Sequence, residues 1–87
     1  MKKVIINENH ANYICDHDDF EDAYLFCARK EHSPEYETTE LTFGCTLDGK
    51  KVAWKDTFIT DKEVTDDAIF DAFKKIYKQA KKCKKFL

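Results

Sequence analysis

The pair Asp48-Gly49 is the feature that most constrains this chain. It stands between two runs of alternating apolar and polar residues. Asp-Gly in that setting signals a two-residue β-hairpin turn, because both central residues must take positive φ. A two-residue loop fixes the register. Leu47 faces Lys50, Cys45 faces Val52, Phe43 faces Trp54 and Leu41 faces Asp56. Leu41, Phe43, Cys45, Val52 and Trp54 then share one side, while Thr42, Thr46, Lys51 and Lys55 share the other. Turn chemistry and hydrophobic pattern select the same pairing, so a hairpin over 41–47 and 50–56 anchors the fold.

A sheet with one apolar face needs a second layer to cover it. The end of the chain supplies one. Ile69, Ala72, Phe73, Ile76, Tyr77, Ala80 and Cys83 recur at spacings of three and four, which predicts a helix over about 65–85. Thr65 is a good N-cap, and Val64 and Ile69 have the spacing of a hydrophobic staple across it. The spacing of Phe20, Ala23, Tyr24, Cys27 and Ala28 predicts a second helix over about 18–31. Asp16 or Asp18 would cap it, acids fill its first turns, and Arg29, Lys30 and His32 close it before Pro34. Leu25 and Phe26 fall off that stripe, and a strand over Ala23–Ala28 is the competing reading. Val4-Ile5-Ile6 reads as a strand, with Tyr13-Ile14-Cys15 as its short return. The expectation is one α+β domain over residues 1–87. It has an antiparallel sheet of three to four strands with two helices on one face, in the order β(β)αββα.

Composition narrows the function classes. Fifteen basic residues against 17 acidic leave a net charge of −2, which excludes a uniformly basic nucleic-acid binder and an acidic DNA mimic. The charge is segregated instead. Residues 7–40 hold ten acids and two bases, and residues 74–87 hold seven lysines and no acid. Apolar residues make up 43% of the chain, too many for a disordered tail. No stretch approaches a membrane span, and Lys2-Lys3 is not followed by the apolar core of a signal peptide. The four cysteines Cys15, Cys27, Cys45 and Cys83 form no recognisable disulfide spacing, so they read as free thiols in a reducing cytoplasm. Fourteen lysines to one arginine, with only two glycines, suit an AT-rich genome, either a low-GC bacterium or one of its phages.

The residues that could carry chemistry do not assemble a familiar constellation. Among His10, Cys15, His17, Cys27 and His32, only Cys15 and His17 approach zinc-ligand spacing, so no metal site is expected. Cys15-Asp16-His17 contains a thiol, an acid and a base, but adjacency along a chain gives no mutual geometry. No catalytic residue and no cofactor site is expected. The acidic run Asp16, Asp18, Asp19, Glu21 and Asp22 lacks the glycine and terminal glutamate of a calcium loop. It reads as a helix cap or as a docking patch for a protein partner, together with Lys51 and Lys55. Lys74, Lys75, Lys78, Lys81, Lys82, Lys84 and Lys85 form a broad helical face suited to phosphates or to an acidic protein surface.

The segment from Asp18 to Lys82 holds a helix, a hairpin and a helix, with Pro34-Glu35-Tyr36 before the Leu41–Leu47 strand. That order resembles a double-stranded-RNA-binding domain, which the resemblance implies in fold. In that family lysines open the last helix and grip phosphates. Here the position reads Asp61-Lys62-Glu63-Val64-Thr65-Asp66-Asp67, so the function does not carry over. The chain is similar in size and composition to phage inhibitors of host defence, anti-CRISPR proteins among them. The expected function is a small, non-enzymatic, cytoplasmic protein-binding module of that kind, monomeric or homodimeric. The alternative is nucleic-acid binding through the C-terminal helix. Neither involves a membrane.

Overall fold

The structure is a computed structural model and describes residues 1–31, 38–61 and 63–82, with residues 50–56 described by their backbone. Five strands form a single antiparallel sheet in chain order: β1 Lys2–Asn7, β2 His10–Cys15, β3 Ala23–Glu31, β4 Thr39–Leu47 and β5 Lys50–Thr60. One helix, α1 Asp66–Lys82, crosses one face. The class is α+β, with five strands rather than three to four and one helix rather than two. Pro34, Tyr36, His32, Cys83, Lys84 and Lys85 lie outside the described residues, and so do the side chains of Lys51, Val52, Trp54 and Lys55.

The segment expected to be the first helix is β3, the central strand. Ala23, Leu25 and Cys27 are fully buried beneath α1, while Tyr24, Phe26 and Ala28 occupy the opposite side. A central strand is apolar on both faces, and such a run matches helical and extended templates alike. Leu25 distinguishes the two. It lies off the helical stripe, yet it is wholly buried in the cross-strand row Cys15–Leu25–Cys45. The order is therefore βββββα, which also removes the resemblance to the RNA-binding domain. The capping signals were real but local. Asp16 accepts the Asp19 and Phe20 amides on its carbonyl and the Asp18 amide on its carboxylate, closing one turn that does not continue.

The Asp48-Gly49 turn forms as expected, with φ of 52° and 75° at its two residues. Leu47 pairs with Lys50 and Cys45 with Val52. Beyond that the register slips. Gly44 faces Lys55 and Phe43 faces Asp56, so the expected Phe43–Trp54 and Leu41–Asp56 pairs do not form. Ala53 and Trp54 are the two extra residues on β5, and Gly44 on β4 marks the irregularity, as glycine in a strand often does. Two extra residues preserve the alternation, so Phe43, Cys45 and Leu47 stay on the buried side.

The core lies between that side and α1. Ile69, Phe73, Ile76 and Ala80 face the sheet, and Phe73 meets Phe43 edge to face at 5.8 Å. Thr65 caps the helix as expected, its hydroxyl accepting the Ala68 amide at 3.1 Å. Val64 packs against the same core as Ile69, completing the staple. Among the described residues no helix is long and apolar enough to cross a membrane.

Candidate functional site

Three surfaces were open to a functional role from the sequence, and the structure treats them differently. The acidic run is the β2–β3 loop and is largely engaged in holding the fold. Asp19 accepts the Met1 ammonium at 2.7 Å, and Asp16 meets Lys2 at 3.3 Å. Asp22 accepts the Tyr77 hydroxyl at 2.5 Å and pairs with Lys81 at 3.3 Å. Its backbone carbonyl also receives the Asp48 amide at 2.7 Å. Loop, final turn and helix thus meet at one residue. The Tyr77 hydroxyl and then the Lys81 ammonium hold the Asp22 carboxyl below the usual carboxylate range. At Asp16 the Asp18 amide is the main cause of the same shift. Asp18 and Glu21 remain exposed.

The lysine face divides in a similar way. Lys81 sits 4.9 Å over the Tyr77 ring as well as beside Asp22. Lys74 meets Asp71 at 3.0 Å and lies 5.3 Å over Phe70. Lys75, Lys78 and Lys82 project from the outer side of α1, exposed and one to two turns apart.

Cys15, Asp16 and His17 are not brought into a working set. Cys15 is buried in the core, and that burial pushes its thiol up to about 11. His17 engages the Glu21 carbonyl through Nδ1 at 3.1 Å, and Asp16 is held by Lys2 and the Asp18 amide. Cys27 is pushed up to about 12 and Cys45 upward, both by burial. These are thiols packed as small apolar groups. Among the described residues no three His, Cys, Asp or Glu side chains are placed to hold a metal ion.

The surface that sequence reasoning missed is β1. It is an edge strand, bonded on one side to β2 and, among the described residues, open on the other. All six residues are exposed, including Val4 at 45%, Ile5 at 64% and Ile6 at 51%. The signal was present, since three consecutive apolar residues in a strand cannot all point into a one-sided core. The sheet around β1 is also polar in an unusual way. His10 Nε2 and Asn12 Oδ1 on the neighbouring β2, and Arg29 Nε on β3 beyond it, are buried without a hydrogen-bond partner among the described groups. Beside them a groove of about 110 Å³ runs between Lys3 and Ile5 on β1 and Arg29 and Glu31 on β3.

A linked set of side chains fixes β1 to the start of α1. Tyr13, fully buried, donates its hydroxyl to Asp66 at 2.8 Å and accepts Arg29 at 3.4 Å. Lys3 reaches Asp66 at 3.3 Å and covers the Tyr13 ring at 5.5 Å. The Tyr13 hydroxyl, with Lys3 assisting, lowers the Asp66 carboxyl. The edge is therefore presented on a braced support rather than on a fraying terminus. No protein-family model matches the chain, and no curated protein or solved structure matches it.

Proposed function

We propose that this chain is a small, non-enzymatic protein-binding module that docks through its β1 edge. The observation that carries the reading is the exposure of Val4, Ile5 and Ile6 on an edge strand whose outer side pairs with none of the described residues. An exposed edge offers a partner main-chain hydrogen bonds for affinity and side chains on alternate faces for specificity. The adjoining groove, lined by Lys3, Glu8, His10, Arg29 and Glu31, gives such a contact polar features to read. In the acidic loop Asp16, Asp19 and Asp22 have partners within the fold, while Asp18 and Glu21 remain exposed. The buried thiols suit a reducing compartment, in keeping with a cytoplasmic role.

The test is a pull-down with tagged chain from a low-GC host extract, with and without nuclease, using wild type and the Ile5→Asp variant. The reading expects nuclease-resistant capture that the variant loses while its circular dichroism is unchanged. Capture that survives Ile5→Asp would sink it. The exposed Lys75, Lys78 and Lys82 favour a second reading, contact with a nucleic-acid backbone. That reading expects a gel shift that weakens steeply with salt and disappears when these three charges are reversed.

A further inference from the structure

We infer that the sheet face turned away from α1 binds single-stranded nucleic acid, with bases stacked on Phe26 and Tyr24 and phosphates met by the lysines around them. This face is separate from the β1 edge and from the lysines of α1. Tyr24, Phe26, Ala28 and Lys30 alternate along the outer side of β3, the middle strand of five. Tyr24 is 41% exposed and Phe26 is half-buried. Neither ring packs against another aromatic ring among the described residues, whereas Phe20, Phe43, Phe70, Phe73 and Tyr77 all do. The two stand about 7 Å apart, the rise of two strand residues, so each is open to a base of its own. Phe26 lies opposite Gly44 on β4. The fold itself does not call for glycine there. Among the glycines positive φ belongs to Gly49, and a methyl group added at Gly44 would meet nothing within 4 Å among the described residues. The extra residues of the neighbouring irregularity are on β5. A strand glycine with neither reason marks a place where something outside the chain comes close. With no side chain at Gly44, the β4 flank of Phe26 is left uncovered.

Charge identifies the occupant. Lys30 stands exposed at the end of the aromatic row. Lys2 is opposite Ile14 in the same cross-strand row as Phe26, exposed although it reaches Asp16 at 3.3 Å. In the backbone register Lys51 is opposite Thr46 and Lys55 is opposite Gly44. Four lysine positions thus border the two rings, and Glu40, opposite Lys30, is the acid of these rows. Asp22 and Asp66, by contrast, are held on the α1 side by Tyr77 and Tyr13. Flat apolar rings within a cationic border match a polyanion that carries flat bases. Thr42, Thr46 and Thr57 add hydroxyls that can bond sugar and phosphate oxygens. A duplex keeps its base faces inside its own stack, so the single strand is the form that fits. Lysine serves phosphates as a point charge, and Arg29, the one arginine, lies in the row of the buried Ala11 on the helix-bearing side. Base edges are therefore not read, and binding follows strand form rather than sequence.

Fluorescence anisotropy with labelled oligo(dT) and oligo(rU), and with the oligo(dT)·oligo(dA) duplex, tests this on the full chain. The expected result is binding of both single strands that weakens steeply with salt, and much weaker binding of the duplex. Phe26→Leu keeps an apolar side chain and removes the ring, and is expected to weaken binding about tenfold. Gly44→Val fills the uncovered flank. Its melting curve by circular dichroism is expected to match wild type while its binding falls by a similar factor. Lys30→Glu is expected to lower the slope of log affinity against log salt by about one phosphate contact. Charge reversal at Lys75, Lys78 and Lys82 is expected to leave binding unchanged, and so is Ile5→Asp, so this proposal and the β1 reading fail separately. No anisotropy change at low salt, equal affinity for the duplex, or full binding by both Phe26→Leu and Gly44→Val overturns the proposal. Loss of binding on reversal of the three α1 lysines moves the contact to the helix and overturns it as well. Early melting of Gly44→Val shows that the chain itself fills that space, which removes the opening on which the proposal stands.

Discussion

Replacing Leu25 and Tyr24 in turn by threonine separates a central strand from a helix over the same residues. Threonine has one propensity in both variants, so the difference reports which side chain faces the core. Leu25 is fully buried between Cys15 and Cys45, and Tyr24 is 41% exposed on the side away from α1. Leu25→Thr removes about two buried carbons, at about 0.8 kcal/mol each. It also places a hydroxyl among apolar neighbours, a further cost of about 1–3 kcal/mol. The sum is about 3–5 kcal/mol. A domain of this size is stable by roughly 4–13 kcal/mol in all. At roughly 4–8 °C per kcal/mol, the melting temperature of Leu25→Thr falls by about 12–40 °C. Tyr24→Thr, at a position open to solvent, costs about 1 kcal/mol or less. Urea titration followed by far-ultraviolet circular dichroism measures both. A helix would reverse the order, since Tyr24 lies on the helical stripe and Leu25 off it. A Tyr24 variant as damaged as the Leu25 variant would refute the assignment of β3.

Thr65→Ala removes the hydroxyl that accepts the Ala68 amide, and urea titration is expected to show a loss of about 1 kcal/mol, with Thr65→Ser restoring most of it. The carboxyls of Asp16, Asp22 and Asp66 are all held below their ordinary value in the fold. Their contribution is complete above the unfolded carboxyl pKa of about 3.9, and it is lost as pH falls through the lowered folded values. Thermal melts across that acid range should show the decline, and Tyr77→Phe should flatten the part due to Asp22. In a Cys83→Ser background, Cys15, Cys27 and Cys45 are expected to resist a thiol reagent at pH 8 and to react fully in denaturant. Rapid labelling of the native protein would show that the core is not closed.

The parts of the fold that were legible in the sequence are those where one local signal sufficed. Asp48-Gly49 specified its turn, because few dipeptides accept two positive φ angles in succession. Thr65 and the stripe from Ile69 to Ala80 specified α1, because a polar outer face leaves the helical period unambiguous. Reading failed where a strand is apolar on both faces though buried on one. Ala23–Ala28 is nearly all apolar, so its period carried little information, and the aspartates before it imitated a helix start while capping a single turn. The slip at Gly44 was invisible for a different reason: a two-residue insertion preserves the alternation that register arguments rely on. The candidate site was missed because Val4-Ile5-Ile6 reads as a strand without revealing its place in the sheet. Whether an apolar strand is central or at the edge depends on strand order, which no local pattern encodes.

That strand order has a consequence for how the molecule assembles. Each strand pairs with its neighbours in the chain, so the sheet closes through short loops at small entropic cost. The long closures belong to α1, which ties Asp66 to Tyr13 and Tyr77 to Asp22 across 53 and 55 residues. Topology of this kind puts sheet formation early and helix docking late. Core truncations at Ile69 and Phe73 should then accelerate unfolding with little effect on the folding rate, while those at Leu25 and Phe43 should slow folding. Without α1 against it, the sheet would leave its apolar face uncovered. The helix is thus the cover that separates a folded module from an aggregating sheet.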